Sequence, residues 1–226
     1  MEGIKSIEYD NIYHGDCLDI MKGMDDDSVN LIIADPPYGI DYQSNYKKEK
    51  FDKLENDNTF LLDWIDEAYR VLKPGGAIYC YTRWDVYNVW FDKLQEKHKI
   101  KNTIIWYKRG GGLGDLKGAY MFNHEFIIYA VKGRHILNGK RESDVWEVSK
   151  GNTSKYLHPT QKPTELAERI ILKSSVENDV VLIPFLGSGN DVIACIENNR
   201  RYIGIEKEDH YFEKVDTRIK NYTRVS

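Results

Sequence analysis

Short apolar runs that suit buried strands alternate along this chain with longer stretches whose apolar residues recur at helical spacing. That alternation restricts the fold more than any single residue does. The first clear run is residues 28–35, S-V-N-L-I-I-A-D, which follows an acidic turn. Its hydrophobicity is continuous rather than alternating, as in a strand covered on both faces. Residues 58–72 place Leu61, Leu62, Ile65, Ala68, Tyr69 and Leu72 at helical spacing, with Asn58 or Thr59 as cap and Lys73-Pro74-Gly75-Gly76 as terminator. Residues 77–81 read as a strand, 84–97 as a helix, and 99–107 and 125–131 as strands. A helix over 163–175 carries Pro at its first position. A strand at 179–183, a helix at 189–198, a strand at 202–205 and a helix at 209–222 complete the pattern. Strands alternating with helices predict an α/β fold with a doubly wound, mostly parallel sheet and helices on both faces. Such sheets bind ligands where strand ends meet helix starts.

A chain of 226 residues suits a single domain over 1–226. Its 41% hydrophobic and 30% charged residues are ordinary for a soluble globular protein. No apolar run is long enough to span a membrane, and Met1-Glu2-Gly3-Ile4-Lys5 lacks the apolar core of a signal peptide, so the expected location is cytoplasmic. Cys17, Cys80 and Cys195 are widely spaced and form no metal-binding pattern, so no metal is expected and each reads as a small core residue. A net charge of -4 speaks weakly against nucleic acid, although a local basic patch serves as well as a global excess.

Residues 179–190, D-V-V-L-I-P-F-L-G-S-G-N, run from an apolar strand through Gly187-x-Gly189 into a helix. The next strand ends in Gly204-Ile205-Glu206, which puts an acid about 20 residues past the glycines, the position that accepts hydrogen bonds from ribose hydroxyls. No third glycine follows, which suits a mononucleoside better than a dinucleotide. Taken alone, this loop is equally well an ordinary strand-to-helix turn.

Asp35-Pro36-Pro37-Tyr38 directly follows the first buried run. At ordinary residue frequencies such a tetrapeptide arises by chance in about one chain per thousand of this size. Asp35 can accept a hydrogen bond from one N–H of a planar amino group and the Pro36 carbonyl from the other. Pro36 and Pro37 stiffen that edge by fixing φ and restricting the preceding residue. Two acceptors favour a pyramidal nitrogen with a directed lone pair. Tyr38 can stack on a base, and an amino group paired in a duplex must first be extruded.

With these residues the chain resembles the circularly permuted β-class of DNA amino-methyltransferases, which use the DPPY motif on adenine N6 or cytosine N4. H-G-D-C-L-D-I-M at 14–21 and A-D-P-P-Y-G-I at 34–40 match the family's N-terminal pair. W-I-D-E-A-Y-R-V-L-K-P-G-G at 64–76 matches its next block, H-P-T-Q-K-P at 158–163 its helix-leading motif, and P-F-L-G-S-G at 184–189 with Y-I-G-I-E at 202–206 its cofactor loop and ribose site. The resemblance covers residues 12–222. It implies a seven-stranded Rossmann-like sheet, S-adenosylmethionine as cofactor and DNA as substrate. It admits a homodimer and a cognate restriction enzyme as partners, neither of which any residue specifies.

By the same resemblance, Asp35, Pro36, Pro37 and Tyr38 are catalytic and Asp35 also borders the cofactor. Asp16 would accept from the cofactor's adenine amino group, although it reads equally as a helix cap. Phe185, Gly187 and Gly189 would line the cofactor, Glu206 would hold its ribose, and Lys162, with Thr160 nearby, would meet its methionine carboxylate. Asp rather than Ser at position 35 resembles adenine-N6 enzymes, with cytosine N4 the alternative. Target recognition is expected in 108–156 with help from 41–57, where Lys47, Lys48, Lys50, Lys108, Arg109, Lys117, Arg134, Lys140 and Arg141 supply positive charge for phosphates.

Two departures stand out. Ile183 replaces the acid that the family carries before Pro-Phe, and Asn190-Asp191 replaces its usual Thr; Asp191 is a candidate to substitute for the missing carboxylate. Ile183 also motivates a competing reading, a pseudo-methyltransferase that binds nucleic acid without turnover. RNA or protein-amide methylation is a third, and a nicotinamide oxidoreductase leaves the DPPY motif unexplained.

Overall fold

The computed structural model describes residues 7–38, 60–110, 116–150 and 161–223. In chain order the elements are β1 (Asn11–His14), α1 (Cys17–Lys22), β2 (Val29–Ala34), α2 (Trp64–Val71), β3 (Leu72–Thr82), α3 (Tyr87–Gln95), β4 (Lys99–Tyr107), β5 (His124–Val131), β6 (Val145–Glu147), α4 (Thr164–Ser174), β7 (Val180–Ile183), α5 (Asn190–Glu197), β8 (Arg201–Glu206) and α6 (Asp209–Thr223). The strands form one sheet ordered β1-β8-β7-β2-β3-β5-β4-β6. The pairs β1–β8, β8–β7, β7–β2, β2–β3 and β4–β6 are parallel, and β5 runs antiparallel between β3 and β4.

The sheet is mostly parallel and doubly wound, as the alternation predicts, with eight strands among the described residues rather than seven. β1 and β6, absent from the sequence reading, are edge strands of four and three residues. Each is too short and too exposed to carry an apolar signature. Alternate residues of the central strands feed two cores. Leu31, Ile33, Tyr79, Val181 and Ile183 pack against α4, α5 and α6; Ile32, Ala34, Ile78, Cys80 and Leu182 pack against α1, α2 and α3. Three helices therefore cover each face. None of the described helices is long and apolar enough to cross a membrane. The three cysteines are buried and unpaired.

Helix boundaries follow local chemistry. α2 buries Trp64, Ile65, Ala68 and Val71, one stripe at helical spacing. The helix expected from residue 58 starts later: residues 60–62 are not helical and Asp63 is the N-cap, while the expected caps Asn58 and Thr59 lie outside the described residues. Lys73-Pro74-Gly75-Gly76, expected to end the helix, lies instead in β3, where the pairing with β2 slips from Val29↔Leu72 to Leu31↔Ala77. A Cβ at Gly76 would stand 2.6 Å from Leu72 Cδ1 and 2.8 Å from the Asn30 carbonyl, so only glycine lets the slipped strand close on β2. Pro163 sits one position earlier than expected, at the N-cap of α4.

Beyond α3, His98 is buried against the edge of Tyr69, and neither ring nitrogen has a hydrogen-bond partner among the described residues. Burial pushes its pKa down from 6.5 to about 4. A folded-state pKa below the unfolded one means that the unfolded chain binds the extra proton. This contribution to stability is complete above pH 6.5 and is lost as pH falls toward 4. His98→Leu should therefore lose less stability than the parent between pH 7 and pH 4.5, by about 2–3 kcal/mol. Urea unfolding of both proteins at the two pH values measures the difference.

Candidate active site

The expected site residues come from both halves of the chain, and the sheet brings them to one edge. β2 and β7 are neighbours, with Leu31↔Val181 and Ile32↔Leu182 in register. The strand order reverses here: from β2 the chain moves through β3, and from β7 it moves the other way through β8. Asp35 leaves the carboxyl end of β2, and the Gly187–Gly189 turn follows the carboxyl end of β7. The two flank the crevice that open α/β sheets use for ligands.

On one side of this crevice the backbone is shaped by Glu206, the last residue of β8. Its Oε2 accepts from the Gly187 N–H at 2.8 Å and its Oε1 from the Glu208 N–H at 3.0 Å. Burial holds this carboxyl above its usual range. Gly189 is the N-cap of α5 at φ 79°, a left-handed conformation. Asn190 Nδ2 donates to the Lys162 carbonyl at 2.6 Å, tying the turn to the segment before α4, while its buried Oδ1 has no hydrogen-bond partner among the described residues. Phe185 meets Trp64 edge to face, with centroids 5.2 Å apart. Asp16 caps α1, accepting from the Leu18 N–H at 3.0 Å, and its second oxygen lies 3.2 Å from Lys207 Nζ. The Gly15 N–H donates to the Glu206 carbonyl at 2.9 Å, so Asp16 and Glu206 share one wall.

Ile183 is fully buried in the core facing α4–α6. The free carboxylate near this point is Asp191, in the first turn of α5. It makes no hydrogen bond or ion pair with the described residues. Burial, and then the negative charge of Asp35, push its pKa up to about 7 despite the opposing pull of Lys162. An unpaired recessed carboxylate beside a glycine turn and a strand-end glutamate is a donor set that fits a nucleoside bearing a cationic group.

On the other side Asp35 is held by two neighbours. Lys162 Nζ donates to Oδ1 at 2.9 Å and Oδ2 at 2.7 Å, and the Tyr38 hydroxyl donates to Oδ1 at 2.6 Å. Burial, with Asp35 and Glu125 adding to it, raises the Tyr38 phenol well above its usual pKa, so it stays a donor. Lys162 is 3.5 Å from Glu125 Oε2, and Lys108 contacts Glu125 Oε1. Burial opposes the charge on Glu125, but Lys162 and Lys108 outweigh it and hold the carboxyl at about 2. Burial lowers Lys108 to about 8 even with Glu125 beside it.

Glu125 and the inward position of Lys108 were missed by the sequence reading. Lys108, expected to face phosphates, is buried over the Trp106 ring instead. The signal for Glu125 was a single acid opening the apolar run H-E-F-I-I-Y-A-V, legible only once β5 is known to run antiparallel to β3, which brings its first residues to the Asp35 edge. Arg109 pairs with Glu147 on the surface. Lys47, Lys48, Lys50, His158 and Thr160 lie outside the described residues. Past the ends of β3 and β4 lies an exposed aromatic surface. Trp84, 54% exposed, stacks on Phe122 at 6.0 Å and 15°, next to Tyr120 at 98% exposure.

The profile of the DNA methylase family matches residues 29–217. The Type II methyltransferase M2.MboI of Moraxella bovis is 33% identical over 95% of this chain and 89% of its own length. The Type II methyltransferase M2.DpnII of Streptococcus pneumoniae is 32% identical over 92% and 89%. Among solved structures, the complex of M1.HpyAVI with SAM superposes with a TM-score of 0.70 at 29% identity, covering 92% of this chain and 98% of the other.

The turn at Gly189 generates a direct test of how the crevice is built. A Cβ there would lie 2.3 Å from Val215 Cγ2 of α6, in a conformation that L side chains avoid. Gly189→Ala should destabilise the fold by about 2–4 kcal/mol, the sum of left-handed strain and overpacking. Urea denaturation gives the value.

Proposed function

This chain belongs to the DNA methylase family, and we propose that it transfers a methyl group from S-adenosylmethionine to N6 of an adenine extruded from DNA. The observation that carries the reading is the position of Asp35-Pro36-Pro37-Tyr38 at the carboxyl end of β2, across the sheet's reversal point from the Gly187–Gly189 turn. The cofactor, when bound, supplies a methyl group on a sulfonium centre.

The chain's own residues do the rest. Glu206 holds the ribose hydroxyls, Asp16 accepts from the adenine amino group of the cofactor, and Phe185, Gly187 and Gly189 line it. Lys162 meets the methionine carboxylate. Asp191 receives the α-ammonium in place of the acid that Ile183 displaces; its unpaired carboxylate supports this role. Asp35 and the Pro36 carbonyl accept the two N–H groups of the target amine and orient its lone pair, so that alignment and preorganised acceptors lower the barrier. Pro37 keeps this edge stiff, and Tyr38 packs beside the target base while its hydroxyl fixes Asp35.

The catalytic motif precedes the cofactor turn in the chain, which supports the circularly permuted β-class. We assign target recognition to residues 108–156 within a single domain spanning 1–226. The stacked Trp84 and Phe122 lie at the same sheet edge as Asp35, where unpaired bases could stack on them. The Type II designation of the two relatives supports a companion restriction enzyme.

Sequencing that detects modified bases, applied to DNA from cells expressing the protein, should find N6-methyladenine at one short motif. N4-methylcytosine would transfer the reading to the cytosine alternative, and unmodified DNA would overturn it. Asp35→Ala should lower methyl incorporation roughly 100- to 1,000-fold, as the loss of one preorganised group does elsewhere. Far-UV circular dichroism checks that the fold survives, with Glu125 Oε2 the remaining carboxylate partner of Lys162 among the described residues.

A further inference from the structure

Lys162, which the methyltransferase reading gives to the cofactor's methionine carboxylate, raises a chemical difficulty at Asp35. Its ammonium lies on both oxygens of Asp35, the carboxylate meant to accept the target amine. Methyl transfer develops positive charge on the amino nitrogen. A bare carboxylate beside that nitrogen stabilises the charge, and an ammonium on the same carboxylate opposes it. The ammonium must therefore leave Asp35, for the cofactor's methionine carboxylate or for a second seat in the protein.

Only one other carboxylate is within ion-pairing distance of Lys162 among the described residues. Glu125 Oε2 is 3.5 Å from Lys162 Nζ, is buried, and accepts no hydrogen bond from the described residues, while its partner Oε1 is anchored by Lys108. The side chains of Lys162 and Glu125 are 9% and 17% exposed, so water does little to screen the exchange. We propose that Glu125 is a positioning residue and the second seat of Lys162: when the target amine meets Asp35, the ammonium shifts to Glu125 Oε2 and leaves Asp35 negatively charged toward the nitrogen. No bond is made or broken in this shift. Lys108 holds Glu125 in place to receive the ammonium. The two lysines also keep Glu125 ionised throughout the neutral range. This role rests on the methyltransferase reading and deepens it.

The test is a double-mutant comparison in the full-length chain, using tritiated S-adenosylmethionine and unmethylated duplex DNA. Glu125→Gln removes the second seat and should lower kcat at least about tenfold, with little change in KM for the cofactor. Its calorimetric Kd for S-adenosylhomocysteine should stay within about threefold of the parent. The decisive arm adds Lys162→Met at saturating cofactor. With no ammonium on Asp35, Glu125→Gln should cost less than about twofold. Should Glu125→Gln strand Lys108 and unfold the chain, Glu125→Gln in a Lys108→Met background, where Lys162 keeps Asp35 and no buried ammonium is left over, should still lower kcat relative to Lys108→Met alone.

A parental rate in Glu125→Gln, or an equal loss with and without Lys162, overturns the proposal; the second result would make Glu125 a structural partner of Lys108 only. A parental chain that binds S-adenosylmethionine and methylates DNA, yet tolerates Glu125→Gln, overturns this inference alone. A parental chain that does neither overturns the methyltransferase reading and this inference with it.

Discussion

A sheet covered by helices on both faces has no place for a carboxylate except at the ends of its strands. Both surfaces of β2, β3 and β7 are packed with aliphatic and aromatic side chains, and the polar groups that matter are displaced to one edge. There, among the described residues, the carboxylates of Asp35 and Glu125 pair with the ammoniums of Lys108 and Lys162. Recessed charges are costly unless paired, and removing one member strands another. The catalytic side of the crevice is therefore a unit whose members depend on each other, and its geometry follows from charge pairing as much as from backbone shape.

The cofactor side follows a different logic. Its groups are backbone amides and strand-end acids, fixed by register rather than by ion pairs. Glu206 is locked by the Gly187 and Glu208 N–H groups, and Asp16 by the cap of α1. The left-handed Gly189 lets α6 press against the turn. Asp191 is the exception, a carboxylate with no side-chain hydrogen bond or ion pair to the described residues. It stands beside the glycine turn, in the first turn of α5, while Ile183 is absorbed into the core. Lys162 links the two sides: its carbonyl is held by Asn190 and its ammonium by Asp35.

Much of the fold was legible before the structure was known. Strands β2, β5, β7 and β8 were readable because a strand buried on both faces must be largely apolar. Of the stripe of α2, Ile65 and Ala68 were readable because one face of a helix must be apolar at helical spacing, while Leu61 lies before the helix and Leu72 in β3. The edge strands β1 and β6 were not, since short, exposed strands need no such pattern. Lys73-Pro74-Gly75-Gly76 looked like a helix terminator, yet pairing with β2 drew it into a strand that slips around Gly76. In that segment neighbours on another strand overruled local turn chemistry.

The sequence by itself determined the α/β class, the DPPY edge, the glycine turn and the strand-end acids, because each is written in a contiguous stretch whose local geometry needs those residue types. Only the tertiary structure decided that Lys162 sits on Asp35, that Lys108 turns inward, and that Glu125 joins them. Those residues lie far apart in the chain and meet only because an antiparallel β5 delivers its first residues to the carboxyl ends of its parallel neighbours. Charge pairing acts through space, so the identity of each partner emerges only when the strands are laid side by side.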